Sequence, residues 1–557
     1  MRINILIGGS AGHGINTIDQ FLTRLLTKKG FHFHSYKDYM SRIRGGTNFT
    51  HVTLSDQPVH CHDDALDVIV ALTSEIIKEH YDRLTDSGLI ICDADVVLPE
   101  PCRHQVTRLN FKAILKETGN SKGYSMVALG AIVKAIGLEE STLNHLVDKR
   151  WTEAIIDANT KTARMAYEAT HCVLTSIPKT NEDHLVMSGN QAVALGALAA
   201  GVGFYSAYPM APSTGVMSYL TQYETRYPIV VEQAEDEIAA INSVIGAASN
   251  GLRSMTSTSG GGFSLMVEGL GFAAVAEVPV VMLDVQRPGP ATGMATRTEQ
   301  SDLNFVLDAS QGEFPRMILS FNSIEDAFYK TFRAFNLADK YRVPVILLSD
   351  QYLADSTSTV REPDLKSLKI DLHLVKEVRE DYRHHDLRTL VQDRVVPGMT
   401  SQIVMNDSHE HDENGVVTES ASNRTAMNDR RMSKLNEIIK EMEEPRLIGD
   451  PDAKDILICW GSTAGVVEAA VETLTGQGRA IGALIFGDLY PLPTKTLTRL
   501  IEGGARLINV EGNYQGQLRQ LISRELAHPI HHSILKYDGR QFSPGYILKA
   551  YEEMIQK

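Results

Sequence analysis

Four short, near-continuous apolar runs, Pro228–Gln233, Arg253–Thr258, Pro279–Val285 and Val343–Ser349, recur in the middle of the chain with helical patterns between them. Apolar strands separated by helices imply a parallel sheet covered on both faces, and so an α/β fold. In such a sheet ligands bind beyond the carboxyl ends of the strands. The unusual residues of this segment collect there: Tyr208-Pro-Met-Ala211, the Glu235–Glu237 turn, Thr256-Ser-Thr-Ser-Gly-Gly-Gly262, and the loop from Gln286-Arg287 to Thr296.

Between the first two runs, Ile238, Ile241, Ile245 and Ala248 stand three and four residues apart, one stripe of a helix, and Asn250-Gly251 supplies a left-handed stop. Glu237 then opens a helix whose apolar face is buried. The acids Glu235, Asp236 and Glu237 suit the positive end of a helix dipole, and helix initiation is a sufficient role for the first two. Glu237, next to the buried stripe and followed by a Thr/Ser/Gly loop, is the candidate for chemistry.

A chain of 557 residues is too long for one core and predicts about three or four domains. Its 43% hydrophobic and 22% charged residues are those of a globular protein. It has no apolar run long enough for a membrane span and no leader pattern at its start, so a cytoplasmic protein is expected. A formal charge of −15 argues against nonspecific nucleic-acid binding. Five cysteines, scattered without a C-x-x-C pair, write no zinc or iron–sulfur site, so any electron transfer would need clusters on a partner.

The chain opens with an apolar strand, the glycine-rich turn Gly8-Gly-Ser-Ala-Gly-His-Gly14 and a helical pattern over Ile15–Lys29. Such a βα unit can bring backbone N–H groups to an anion, or be a tight turn only. Ser41-Arg-Ile-Arg-Gly-Gly46 follows, whose Arg42 and Arg44 suit a carboxylate, a phosphate or a subunit contact. Segments Ala65–Ala71, Gly88–Cys92 and Lys122–Ile136 continue the α/β alternation, and His171–Asp183 reads as a linker. The small-residue run Gly189–Gly201 predicts a helix that neighbouring backbone can approach closely. Val395–Arg431 reads as a polar stretch in which His409 and His411 belong to a solvated loop rather than a metal site, and Asn423–Glu443 as a charge-laced helix. Strands at Asp455–Cys459, Ile481–Phe486 and Arg506–Val510 make a last α/β unit.

Taken together, these motifs resemble the 2-oxoacid:ferredoxin oxidoreductases, specifically an α subunit with the γ domain fused at its N-terminus. Gly8–Gly14 and Ser41–Gly46 look like the γ-domain signatures. Tyr208-Pro-Met-Ala-Pro-Ser213, the acids ending in Glu237, Thr258-Ser-Gly-Gly-Gly262 and Arg287–Thr296 look like the thiamine pyrimidine-binding domain. The resemblance implies three α/β domains: a γ-type domain over 1–178, a pyrimidine-binding domain over 186–394 and a transketolase C-terminal-like domain over 447–557. A polar loop and connecting helix at 395–446 would join the last two.

It also implies CoA-dependent oxidative decarboxylation of a 2-oxoacid, with 2-oxoglutarate favoured for the fused architecture, to acyl-CoA and CO2, the electrons passing to ferredoxin. Pyruvate, branched-chain or aryl 2-oxoacids are the alternatives, as are a non-redox thiamine-dependent transferase and a noncatalytic subunit. Residue by residue, Glu237 would be the catalytic acid at the aminopyrimidine ring of thiamine diphosphate, burial favouring its protonated form. Tyr208, Pro209, Thr258, Ser259 and Gly260 would line the cofactor. Arg287 would hold the substrate carboxylate, or else form a structural ion pair, and Thr296 would touch the distal part of the substrate. Ala211 stands where related sequences often carry threonine. The diphosphate, its Mg²⁺ and at least one [4Fe–4S] cluster would sit on a separate β subunit, with coenzyme A as co-substrate and ferredoxin as electron acceptor of an (αβ)2 assembly.

Overall fold

A computed structural model describes residues 2–40, 46–171, 174, 184–399, 401 and 403–556. Arg42 and Arg44 of the arginine turn, and most of the 171–183 stretch, lie outside the described residues. The chain forms two compact units, one of Met1–Met187, Ser356–Glu362 and Ser543–Tyr546, the other of Ser188–Asp355, Pro363–Phe542 and Ile547–Lys557. No helix among the described residues is long and apolar enough to cross a membrane.

In the first unit the opening strand Arg2–Gly9 lies between Leu66–Ala71, parallel to it, and Asn48–Ser55, antiparallel. The mixed sheet extends outward through Leu84–Asp93 and Gln105–Leu109 on one side. On the other come His32–Asp38, Thr357–Val360 and Leu185–Ser188. The helices Ile15–Lys28 and Tyr124–Ala135 fall where the sequence pattern placed them. Ile5, Ile7, Leu22, Phe33 and Ile132 make part of the core they share with the sheet. Gly14, at a left-handed φ of 74°, turns the glycine-rich loop into the first helix, with Ser125 3.3 Å from where a Cβ would stand.

The second unit holds two sheets. The larger runs Asp488–Tyr490, Met317–Ser320, Val345–Asp350, Val281–Gln286, Ser254–Thr258, Phe204–Ala207, Val230–Gln233, parallel throughout except at its first strand. The smaller runs Arg446–Gly449, Ile481–Phe486, Asp455–Trp460, Arg506–Glu511, His532–Leu535. Ile318, Ile346, Trp460 and Phe486 lie in one core common to both. The small-residue helix Gly189–Ala199 permits the close approach expected of it: a Cβ on Gly196 would stand 2.4 Å from the carbonyl oxygen of Phe328, and one on Gly189 2.2 Å from that of Leu353.

Two expectations need correction. His411 is not solvated: it is 1% exposed, with its ring 4.2 Å from that of His385, while His409 does face solvent. The charge-laced pattern also does not make one continuous helix over Asn423–Glu443. It forms Ala421–Ser433 and a short Leu435–Ile438, separated at Lys434. The Lys434 ammonium turns inward, donating to Glu277 Oε2 at 2.5 Å and to the Tyr341 carbonyl at 2.8 Å. Arg430 pairs with the same buried Glu277 carboxylate. Burial alone would raise the Glu277 carboxyl, but Lys434, Arg430 and His385 together hold it well below the usual range.

Candidate active site

At the carboxyl edge of the larger sheet, Asp236 caps the helix Glu237–Ser249 by accepting from the Ala239 N–H at 2.7 Å. The buried stripe of this helix consists of Glu237, Ala240, Ile241, Val244, Ile245 and Ala248. Ile238, expected on that stripe, is instead 52% exposed. Four residues back from Ile241 along the inward face comes Glu237, which takes the place of the apolar residue. The helix thus presses a carboxyl group, 3% exposed, into the protein at its positive end. Glu237 Oε1 is buried without a hydrogen-bond partner among the described residues, as is Ser259 Oγ.

The carboxyl lies against the first turn of the next helix, Gly260–Val275. A Cβ on Gly262 would fall 2.4 Å from Glu237 Oε1 and 2.1 Å from Thr258 Oγ1, and one on Gly260 only 2.5 Å from Asp302 Oδ2. Gly260 and Gly262 are therefore sites of close approach, where side-chain-free backbone lets acidic groups converge on a helix N-terminus. Thr258, 1% exposed, reaches Met210 Sδ at 3.8 Å, which joins the glycine turn to the loop after strand Phe204–Ala207. In that loop Tyr208 and Ala211 are exposed and Pro209 is half-buried. Arg287, at the end of strand Val281–Gln286, donates from Nη1 to the Ala211 carbonyl at 2.7 Å, and its Nε is buried without a partner among the described residues. No ion pair engages Arg287 among the described residues.

The fold brings together Glu237, Thr258, Ser259, Gly260, Ala211 and Arg287. Thr296 is half-buried in the loop beyond Arg287 and makes no side-chain hydrogen bond to any of them. Two residues that pattern reading missed also belong here. Asp284 is fully buried in strand Val281–Gln286, its carboxyl oxygens without a hydrogen-bond partner among the described residues, and Asp302 stands at the N-terminus of the helix Leu303–Asp308. Burial, then the neighbouring acid, raises the Asp284 carboxyl well above its usual range, and burial raises Asp302 as well. Glu299, burial-raised to about 7, lies near Asp302. A carboxyl inside the apolar run Val-Met-Leu-Asp284-Val-Gln was the signal available in the sequence.

Three family models match in succession: "Pyruvate ferredoxin/flavodoxin oxidoreductase" over residues 4–169, "Pyruvate flavodoxin/ferredoxin oxidoreductase, thiamine diP-bdg" over 195–430, and "Pyruvate:ferredoxin oxidoreductase core domain II" over 453–547. The 2-oxoacid:ferredoxin oxidoreductase subunit alpha of Saccharolobus solfataricus is 30% identical, the match covering 100% of this chain and 98% of that protein. The 2-oxoglutarate synthase subunit KorA of Methanocaldococcus jannaschii is 33% identical over 56% of this chain and 85% of its own length. Among solved structures, the 2-oxoglutarate:ferredoxin oxidoreductase from Magnetococcus marinus, with 2-oxoglutarate, coenzyme A and succinyl-CoA bound, superposes with a TM-score of 0.92 at 30% identity, covering 100% of both chains. With full-length similarity of this order over a thiamine-type parallel sheet, the chain belongs to the α subunits of the 2-oxoacid:ferredoxin oxidoreductases.

Proposed function

We propose that this chain builds the pyrimidine-binding half of a CoA-dependent 2-oxoglutarate:ferredoxin oxidoreductase, with Glu237 as its catalytic acid. The observation that carries the reading is the Glu237 carboxyl: 3% exposed, without a partner at Oε1 among the described residues, and set against a first helical turn kept free of side chains by Gly260 and Gly262. A buried orphan oxygen of this kind fits a ring nitrogen of an aminopyrimidine, since a buried polar group left unpaired is costly. Bound there, thiamine diphosphate would supply a carbon nucleophile for the 2-oxo carbon and take up the electrons released with CO2.

Glu237 would hold a proton at the pyrimidine nitrogen and exchange it during turnover. Thr258, Ser259 and Gly260 would line the ring, with Tyr208 and Pro209 at the mouth. Arg287 would take the substrate carboxylate on its unpartnered Nε, with Ala211 and Thr296 near the rest of the substrate. A β subunit would bring the diphosphate's Mg²⁺ and a [4Fe–4S] cluster, and ferredoxin would take the electrons from an (αβ)2 assembly. The preference for 2-oxoglutarate draws on the Magnetococcus marinus and KorA likenesses.

The test is to purify the chain with its natural partner and assay reduction of ferredoxin or viologen, with coenzyme A, against a panel of 2-oxoacids. The highest kcat/KM is expected for 2-oxoglutarate. Turnover of pyruvate or a branched-chain acid ahead of it would reassign the substrate, and no CoA-dependent reduction with any of them would end the reading.

A further inference from the structure

In the smaller sheet of the second unit, Asp455–Trp460 lies between Ile481–Phe486 and Arg506–Glu511, parallel to both. The chain passes from it to the first of these through the helix Thr463–Gly476, then returns on its other side as the second. The crevice between the carboxyl ends of Asp455–Trp460 and Arg506–Glu511 is therefore the switch point, where open α/β sheets take a ligand. Here it holds a residue of the same chain, Gln300, which is 2% exposed.

Every polar group of Gln300 is engaged by the two strand ends. Its Nε2 donates to the Trp460 carbonyl at 2.7 Å, and its Oε1 accepts from the Gly512 N–H at 2.9 Å. Its own N–H donates to the Gly512 carbonyl at 2.7 Å, and its carbonyl accepts from Asn513 Nδ2 at 2.8 Å. Two glycines make room for it: a Cβ on Gly461 would stand 2.8 Å from Gln300 Nε2, and one on Gly512 3.2 Å from Oε1. The walls are themselves tied together, since the fully buried Glu511 carboxyl accepts from Trp460 Nε1, Asn513 Nδ2 and the Leu518 N–H.

Gln300 closes the loop that opens at Arg287 and carries Thr296. Within the loop the Met294 N–H donates to the Pro288 carbonyl and the Arg297 N–H to the Met294 carbonyl, both at 3.0 Å. The Thr298 N–H donates to the Gly539 carbonyl at 3.4 Å, and a Cβ on Gly539 would stand 3.0 Å from Met294 Sδ. Thr296 is thus flanked on both sides by contacts that end on the smaller sheet and the turn after its last strand. Resting on Thr296 as a contact to the distal part of the substrate, we infer that Gln300 is a positioning residue for the choice among 2-oxoacids. Seated in the switch-point crevice, it fixes where the loop holds Thr296, so the smaller sheet takes part in substrate selection without touching the substrate.

The test uses the complex purified with its natural partner and compares kcat/KM for 2-oxoglutarate and pyruvate, which share the C1 carboxylate and 2-oxo group and differ only beyond them. Q300M keeps the reach of the side chain and removes both of its hydrogen bonds, and G512A crowds Oε1 should Q300M fail to assemble. A small misplacement of a contact can cost up to about 10²-fold, so the ratio of the two kcat/KM values is expected to fall at least about fivefold in either variant. Amide exchange at Met294 and Arg297 should quicken, while exchange of the cofactor's C2 proton stays at the wild-type rate. A smaller fall in the ratio, or unaltered amide exchange, overturns the inference. So does a loss of C2 exchange in step with turnover, which marks a general loss of structure. T296A separates the two levels. If T296A leaves the ratio unchanged, Thr296 does not touch the substrate and the reading beneath fails. If T296A shifts the ratio while Q300M and G512A do not, only the role of Gln300 fails.

Discussion

Replacing Glu237 by glutamine separates chemistry from folding, because the structure predicts opposite consequences for the two. The side chain is 3% exposed, and its Oε1 has no hydrogen-bond partner among the described residues. Leaving such an acceptor unpaired costs about 1–3 kcal/mol, a cost the native carboxyl already bears, so an isosteric amide removes nothing that holds the fold. The cofactor-free E237Q chain is therefore expected to be as stable as the wild type, or more stable by up to about 1–3 kcal/mol. In the role proposed for Glu237 the side chain holds and returns a proton, which an amide cannot carry, and loss of a positioned acid or base typically lowers rate by about 10²–10⁴-fold. That corresponds to roughly 3–5 kcal/mol in the barrier. Exchange of the cofactor's C2 proton, followed by NMR in the assembled complex, reads the first quantity, and denaturant unfolding of the cofactor-free chain reads the second. Wild-type exchange in E237Q, or a loss of more than about 2 kcal/mol in the cofactor-free chain, would refute the reasoning, the latter by revealing a structural partner for the carboxyl.

Further outcomes follow from other parts of the molecule. G262A should lower kcat by at least about tenfold with the fold retained, since its Cβ would meet Thr258 Oγ1 at 2.1 Å and Glu237 Oε1 at 2.4 Å; steady-state kinetics and circular dichroism check this. E277Q should destabilise the second unit by about 3–5 kcal/mol in denaturant unfolding, because it strips a buried carboxylate from Lys434 and Arg430. In the first unit, burial holds the His34, His51 and His80 imidazoles below their usual range, to about 3 for His34 and about 4 for His80. Unfolded imidazoles take up protons below pH about 6.5 while these do not, so stability present above that pH falls as the medium is acidified, by about 3 kcal/mol at pH 4 for His34 alone. Hydrogen-exchange protection of strands His32–Asp38 and Asn48–Ser55 should drop between pH 6 and 4, and a profile level across that range would contradict the sign. A211T should lower KM for the 2-oxoacid about tenfold through an added hydroxyl hydrogen bond to a charged group, as measured in the ferredoxin or viologen assay.

The parallel sheet and the residues gathered at its carboxyl edge were legible in the sequence because both depend on local signals. Apolar runs of strand length and the glycine, proline and acid clusters that follow them need no knowledge of distant contacts. Where the reading missed, the cause was non-local. Ile238 looked like the start of the buried stripe because periodicity prefers an apolar residue. The packing instead selected the face led by Glu237, a phase that one residue of helix rotation decides. His411 sits in a polar stretch, and nothing nearby in sequence announces His385 as the ring that covers it. The influence of Asp302 on Asp284 crosses a loop, so spacing alone could not associate them, although an acid inside an apolar strand was visible. In the first unit the antiparallel strands His32–Asp38 and Asn48–Ser55 carry histidine and threonine at buried positions, which hides the alternation that would have marked them.

The strand Thr357–Val360 has a practical consequence for anyone wishing to divide this gene. It pairs Thr357 with Ser35 and Ser358 with His34, and Ser358 Oγ lies 2.8 Å from His34 Nδ1. A truncation after residue 187 would omit it, baring the edge of His32–Asp38 at His34 and Ser35 as unsatisfied backbone, a template for association with other chains. A freestanding version of the N-terminal unit would need a grafted copy of this seven-residue tract, Ser356–Glu362, or a charged blocking residue on the bared strand.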